Sequence, residues 1–217
     1  MRHYLHVPLA LAATAFLAGC TYERSGPPQQ HLSDWNVQAP SKNAVSVCHA
    51  YGCQQTSRVL FTQKDVAAIT EVMRKTKKAD TPHEERRAVA YAISWMEIEV
   101  GKRIGTSSDR PGMDFSASGD PTQQDCVDEA TNTTSYLMFL YSRGLIKKHT
   151  VSIPISKGQI WRGVKNWPHW TAILKEDGTG QRYAIDSWIY KNGVNPAVVK
   201  IEEWYIRDLE NLAKSTT

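Results

Sequence analysis

Hydrophobic and polar positions follow two different periods along this chain, and the change-over falls near residue 145. Before it, apolar residues recur at helical spacing. Thr62 and Asp65 form a helix-start pair, after which Val66, Ile69 and Met73 share one face. A stronger signal follows: Thr81 caps, Pro82 suits the first turn and Glu84 completes a capping box. Val89, Ile93, Met96 and Val100 then form a stripe that Gly101 ends. A third helix is predicted from about Cys126 to Ser142, with Gly144 as its terminator. Such stripes belong to a core. Beyond residue 145, segments 150–155, 169–174 and 183–190 are rich in β-branched and aromatic residues. Asp177-Gly178-Thr179-Gly180 lies between the last two and predicts an antiparallel hairpin. Asn192-Gly193 marks a further turn, residues 198–201 suggest another strand and residues 203–213 a closing helix. Val59-Leu60-Phe61 is either a strand or a patch packed over the next helix. N-terminal helices followed by an antiparallel sheet make an α+β fold, not an alternating parallel one.

Two stretches follow neither period. Residues 21–44 are polar and carry several Pro and Gln, and read as a flexible tether with a reach of roughly 30 Å. The folded domain then starts near Val45. Residues 105–124 are rich in Gly, Ser, Asp and Pro; a loop of that length is often functional, and this one leads into Cys126.

The first residues are of another kind. Arg2 precedes an apolar run over 7–18 that is too short to span a bilayer comfortably, and no later run is long enough to do so. The run closes on Leu17-Ala18-Gly19-Cys20, which resembles the bacterial lipobox. That resemblance implies cleavage before Cys20 and acylation of Cys20; an ordinary signal peptide or an uncleaved anchor is the other reading. Thr21, following the cysteine, resembles an outer-membrane sorting signal, which places the domain on the periplasmic side. The organisation expected is a lipoprotein signal peptide over 1–19, a lipidated cysteine and tether over 20–44, and one domain over 45–217. Lys and Arg number 26 against 22 Asp and Glu, a net charge of +4 of which Arg2 leaves with the leader. So mild and mixed a balance gives no reason to expect a nucleic-acid partner. The expected partner surface is the membrane, through the Cys20 lipid.

Of four cysteines, Cys20 is assigned to lipid, and Cys48 and Cys53 lie in a turn-like Cys-His-Ala-Tyr-Gly-Cys stretch where they can pair. Cys126 is left without a partner in a compartment that oxidises thiols. It sits where the third helix begins, and a helix N-terminus favours the thiolate. His169 opens one strand and Asp186 lies in the next, so a hairpin brings them within hydrogen-bonding reach. Asp186 then fixes the imidazole tautomer and His169 forms an ion pair with Cys126, the logic of a cysteine–histidine–aspartate triad. Asp125, Asp128 and Glu129 oppose a neighbouring thiolate. The bland alternatives are a small core cysteine and a structural histidine. Trp161, Trp167, Trp170 and Trp188 either line a cleft for an extended peptide or glycan or pack the hairpin. Glu84-Glu85-Arg86-Arg87 reads as a solvated helix face. His31, His49, His83 and His149 have no metal-ligand spacing.

Asp-Cys-Val-Asp-Glu-Ala at 125–130, Tyr136-Leu137, Gly144-Leu145, His169-Trp170-Thr171-Ala172-Ile173-Leu174 and Tyr183-Ala184-Ile185-Asp186-Ser187-Trp188 are, taken together, similar to the bacterial transglutaminase-like cysteine proteinases. These belong to the transglutaminase-like branch of the papain-like superfamily, and the resemblance covers about residues 120–190. It implies a papain-like core and cysteine peptidase or acyl-transfer chemistry in a periplasmic setting. Cys126 is then the nucleophile, His169 the base and Asp186 the orienting residue. It also implies Gln124 as an oxyanion donor beside the Cys126 backbone N–H, with Gln123 competing for that role. Some relatives use Ca²⁺ with acidic residues near the nucleophile, which makes Asp125 and Asp128 candidate ligands; the alternative is that both cap the helix. Nothing else in the sequence requires a cofactor. Residues 45–105 have no counterpart in the family pattern, and Asn132-Thr133-Thr134 make the nucleophile helix unusually polar. The function expected is a lipid-anchored envelope hydrolase or acyltransferase acting on amide bonds of envelope proteins or peptidoglycan peptides. The alternatives are a catalytically silent binding or scaffold lipoprotein of the same fold, and a structural lipoprotein in which Cys126 is simply buried.

Overall fold

The structure, a computed structural model, describes residues 24, 26–158, 168–208 and 212. The elements run α1 (Pro28–Asp34), β1 (Ala44–His49), β2 (Gln55–Leu60), α2 (Gln63–Thr76), α3 (Pro82–Ile104), α4 (Cys126–Ser142), β3 (His149–Lys157), β4 (His169–Glu176), β5 (Arg182–Asp186), β6 (Ala197–Lys200) and α5 (Ile201–Ile206). The fold is α+β. The last four strands form one antiparallel sheet in the order β3-β4-β5-β6, and β1 and β2 form a separate hairpin.

Local chemistry explains most boundaries. Thr62 and Asp65 close a capping box at the start of α2. Thr81 accepts the Glu84 N–H at the start of α3, but the Glu84 carboxylate turns to the Lys78 N–H at 2.9 Å, so that box is only half built. Gly101 does not end α3. The helix continues to Ile104, and left-handed Gly105 terminates it. Gly101 is needed for closeness instead: a Cβ there would stand 2.9 Å from the Asn192 side chain and 3.0 Å from Ser107 Oγ. The predicted β4–β5 hairpin forms, with Gly180 N–H on Glu176 O at 2.8 Å. β5 stops at Asp186, not at residue 190, because the chain turns where Tyr190 N–H bonds Ser187 O. The closing helix begins at Ile201, before the predicted 203, and its later predicted residues lie largely outside the described ones.

α4 lies at the centre. It packs against β1, β3 and β4, with α1, α3 and β5 completing the surround. Every residue from Cys126 to Leu137 is therefore buried. A helix with no solvent face must satisfy its polar groups internally. Thr131 and Thr134 return their hydroxyls to the carbonyls of Val127 and Ala130. Asn132 exchanges two hydrogen bonds with the Cys48 backbone, at 2.6 and 2.9 Å. Below it, Val89, Ile93 and Met96 of α3 meet Tyr136, Leu137 and Leu140 of α4, with Ala172 and Leu174 of β4 in the same cluster.

Two sequence expectations are corrected here. The stretch read as a tether is structured from Pro28 onward, so the domain begins well before Val45. α1 buries His31 and Leu32, and Val37 is buried after it. His31 bonds Thr131 Oγ1 at 2.9 Å and its ring packs 5.4 Å from Trp170. Three residues, His31, Leu32 and Val37, supply this contact, too few to register as a period among the Pro and Gln. The second correction concerns residues 84–87. Glu85 and Arg86 are buried, not solvated. Glu85 accepts the Lys147 and Lys148 N–H groups and pairs with His149, and Arg86 pairs with Glu176, stapling α3 to the sheet.

Candidate active site

Asp125 makes α4 begin where it does. Its carboxylate accepts the Val127 and Asp128 N–H groups at 3.0 and 2.9 Å, while Asp128 accepts the Asp125 N–H at 3.2 Å. This closed capping box leaves Cys126 as the first helical residue, with its own N–H outside the box. Asp128 has a second task. It takes the N–H groups of Tyr51 and Cys53 at 2.8 and 2.6 Å. Those residues belong to the Cys48–Cys53 disulfide loop, which forms as the spacing suggested. Ala50, Tyr51, Gly52 and Cys53 all have φ between 54° and 71°. Non-glycine residues in that region cost about 1–3 kcal/mol each and persist only where their surroundings hold them. The disulfide and Asp128 do that here.

The carboxylates proposed for calcium are thus occupied with backbone N–H groups: Asp125 caps the helix and Asp128 ties the disulfide loop to it. Among the described residues the one cluster of metal-ligating types is Cys48, Cys53 and Asp128, and both sulfurs there are spent on the disulfide.

β4 and β5 assemble the other half. Their register pairs Ala172 with Ile185. One further step sets Asp186 across from Thr171, and His169 is then its diagonal neighbour on the same face. His169 Nε2 and Asp186 Oδ2 lie 2.6 Å apart, both groups buried. Trp204 of α5 donates its indole N–H to the same oxygen at 2.8 Å. A carboxylate only accepts, so Nε2 carries the proton and Nδ1 holds the lone pair. Nδ1 is buried and has no partner among the described residues. The imidazole is sandwiched, with Trp188 4.8 Å away and Trp204 5.5 Å away, ring centre to ring centre. Cys126 Sγ lies 3.6 Å from the carbonyl oxygen of Pro168, the residue before His169. The His169–Asp186 pair forms as the hairpin predicted, while the thiol bonds the Pro168 carbonyl; among the described residues no hydrogen bond joins the thiol to the imidazole.

Their environment differs from the sequence expectation. Cys126 is only 5% exposed. Burial first, and the Asp125 charge second, push its thiol up to about 12, against an opposing backbone hydrogen bond at Trp170. Desolvation outweighs the helix N-terminus, and the resting thiol is neutral. A group of buried carboxyls stands behind it. Burial raises Glu97 and Asp109 to about 7 each and Asp128, with Asp125 beside it, to about 8; Glu129 is raised by burial and by Glu97. The charge of Asp128 adds to the rise of the thiol.

The two glutamines are committed elsewhere. Gln124 Nε2 donates to the Cys48 carbonyl at 3.0 Å, and Gln123 bonds the Ser108 carbonyl and the Arg110 N–H. The Gln124 bond uses one of the two N–H groups of its side-chain amide. Trp188 packs against Cys126, and its buried indole N–H has no acceptor among the described residues.

A cleft of about 270 Å³ opens onto Cys126, walled by Tyr51, Gly52, Met113, Phe115 and Trp188. The loop over 105–124 supplies Met113 and is pinned where Gly112 N–H bonds the Trp188 carbonyl. A larger hollow of about 510 Å³ lies by Tyr91 and Tyr183, but no nucleophile lines it. Of the four tryptophans, Trp170 and Trp188 reach the site, while Trp161 and Trp167 fall outside the described residues, as does Cys20. Nothing local in the sequence marks Asn132 or Trp204 as supports, because both roles depend on partners far along the chain. Comparison with protein-family models, with curated proteins and with solved structures finds no match.

Proposed function

We propose that this chain is a cysteine hydrolase or acyltransferase of the transglutaminase-like, papain-like type, acting on amide bonds. The observation that carries the reading is the 2.6 Å His169–Asp186 bond, which leaves Nδ1 without a partner among the described residues, on a strand whose preceding residue, Pro168, meets the helix-start cysteine. With a neutral resting thiol, His169 acts as general base in the attacking step. Nδ1 takes the thiol proton as Sγ bonds the acyl carbon. The tetrahedral intermediate then expels the amine, which leaves with that proton. The resulting thioester passes its acyl group to water or to a second amine, and Sγ recovers its proton through His169. Asp186 holds the imidazolium, with Trp204 holding Asp186. The substrate class we favour is envelope protein or peptidoglycan peptide, with Cys20 lipidated and the domain facing the periplasm from the outer membrane.

A second reading has its own support. Burial of Cys126 and the rise of its thiol to about 12 suit a catalytically silent member that binds a partner. The pH dependence of Cys126 alkylation by iodoacetamide, in protein starting after Cys20 and in its His169→Ala variant, separates the two. An enzyme shows a reactive limb that His169→Ala abolishes. A rate that rises only with strong alkali and ignores the variant leaves the silent reading standing.

A further inference from the structure

We infer that Lys157 is a positioning residue for the His169–Asp186 pair, acting through α5 and the indole N–H of Trp204; the inference rests on the acyl-transfer reading above. α5 has six residues, too few to hold a helix by its own hydrogen bonds. Its docking on the sheet therefore depends on side chains. Ile201 and Trp204 are buried there, in one cluster with Ile155, Ile173 and Ala184. At the end of the helix the Arg207 N–H takes the Glu203 carbonyl, and the carbonyls beyond it need other donors. Lys157 supplies two: its Nζ donates to the carbonyls of Trp204 and Arg207. The same ammonium stands 4.4 Å from the centre of the Trp204 ring. Lys157 is the last residue of β3 and pairs with His169 across the sheet, so it clasps α5 beside the imidazole. Trp204 carries the effect inward. It is fully buried and donates its indole N–H to the Asp186 oxygen that His169 also bonds. A positive charge over an indole face draws on the ring electrons and makes the N–H a stronger donor. Lys157 thus sets both where that donor stands and how firmly it holds Asp186. The charged or titratable groups around Nζ are Asp186 on β5, Asp208 past α5 and His169 on β4. Burial brings Lys157 down to about 8 against the pull of the two aspartates, so mild alkali removes its charge.

The full chain in detergent, labelled with ¹⁵N at its indole nitrogens, reports on the clasp and on the reaction separately. The Trp204 N–H resonance is assigned by its loss in Trp204→Phe. We expect Lys157→Met, which keeps the stem and loses the charge, to move that resonance upfield as the bond to Asp186 weakens. The same variant is expected to slow acylation of Cys126 by p-nitrophenyl acetate by about 10–10²-fold. Lys157→Arg restores the charge and is expected to return both. In the wild type the resonance should move as the pH passes about 8, a step that Lys157→Arg lacks; the wild-type titration stands even where a variant fails to fold. A resonance indifferent to Lys157→Met or to pH overturns the clasp. A moved resonance with unchanged acylation, or a loss that Lys157→Arg does not restore, overturns the positioning role. A wild-type Cys126 inert to the ester overturns the acyl-transfer reading and the positioning role with it, while the resonance still tells whether the clasp exists.

Discussion

Gln124→Ala is the substitution on which the sequence pattern and the structure disagree most sharply. The pattern makes Gln124 an oxyanion donor, so its loss slows acylation and leaves the fold alone. The structure makes it a strut on the Cys48 carbonyl, a group that also receives Asn132 Nδ2 at 2.9 Å. Loss of one neutral hydrogen bond costs about 0.5–1.5 kcal/mol, and truncating a buried side chain adds about 1 kcal/mol more, so Gln124→Ala should destabilise by about 2 kcal/mol. Asn132→Ala costs more, about 3 kcal/mol, because it also orphans the Cys48 N–H held at 2.6 Å. In either single variant the carbonyl keeps one donor; in the double variant it keeps none. The double variant should therefore lose about 1 kcal/mol beyond the sum. Urea unfolding followed by tryptophan fluorescence reads all three; at an m-value near 2 kcal/mol/M the Gln124→Ala midpoint falls by about 1 M. An unchanged midpoint together with a 10²-fold loss of acylation would refute the strut and restore Gln124 to the oxyanion.

Three further expectations follow from the packing. Glu85→Ala should destabilise by about 3–5 kcal/mol, since it strips two N–H groups and His149 of their buried acceptor. Burial acts to raise this carboxyl, but His149 and the two N–H groups win and hold it below 4.5; its contribution is present above that value and lost as pH falls through the folded one, so Glu85→Gln should flatten the decline of Tm below pH 4.5. Burial first, and Arg24 second, lower His31 to about 4. A depressed histidine stabilises fully above its unfolded value of 6.5 and loses this as pH falls toward 4, so α1 should undock in that window, read by limited proteolysis ahead of Ala44. Met113 walls the cleft against Cys126; Met113→Ala should raise the alkylation rate of Cys126 several-fold, and an unchanged rate would mean that the 105–124 loop does not limit access.

How much was legible in the sequence depended on how locally each feature is caused. The α4 start was legible because its cause is local: Asp125 and Asp128 flank Cys126 at capping distance, and Gly144 lies past the end. The disulfide was legible because six consecutive residues contain both sulfurs. The His169–Asp186 pair was legible because one tight turn joins their strands and a two-residue alternation then puts both on one face. Each of these is a relation between neighbours, and neighbours constrain each other through backbone geometry alone.

The tertiary structure decided the rest. Asn132, Thr133 and Thr134 look like solvent residues on a helix, and only the enclosure of α4 on every side turns them into buried struts. Glu85 and Arg86 look like a surface pair until the sheet brings His149 and Glu176 beneath them. α1 has no period to announce it, yet His31 and Leu32 seal it against the core. The thiol reverses most clearly: the helix terminus that sequence can locate favours a thiolate, but the burial that sequence cannot locate pushes Cys126 up to about 12. The sequence by itself determined which groups stand at the ends of which elements. Desolvation and long-range hydrogen bonding act on a group through whatever else surrounds it, so protonation, the commitment of Gln124 and the burial of Trp188 were decided only when distant segments closed around them.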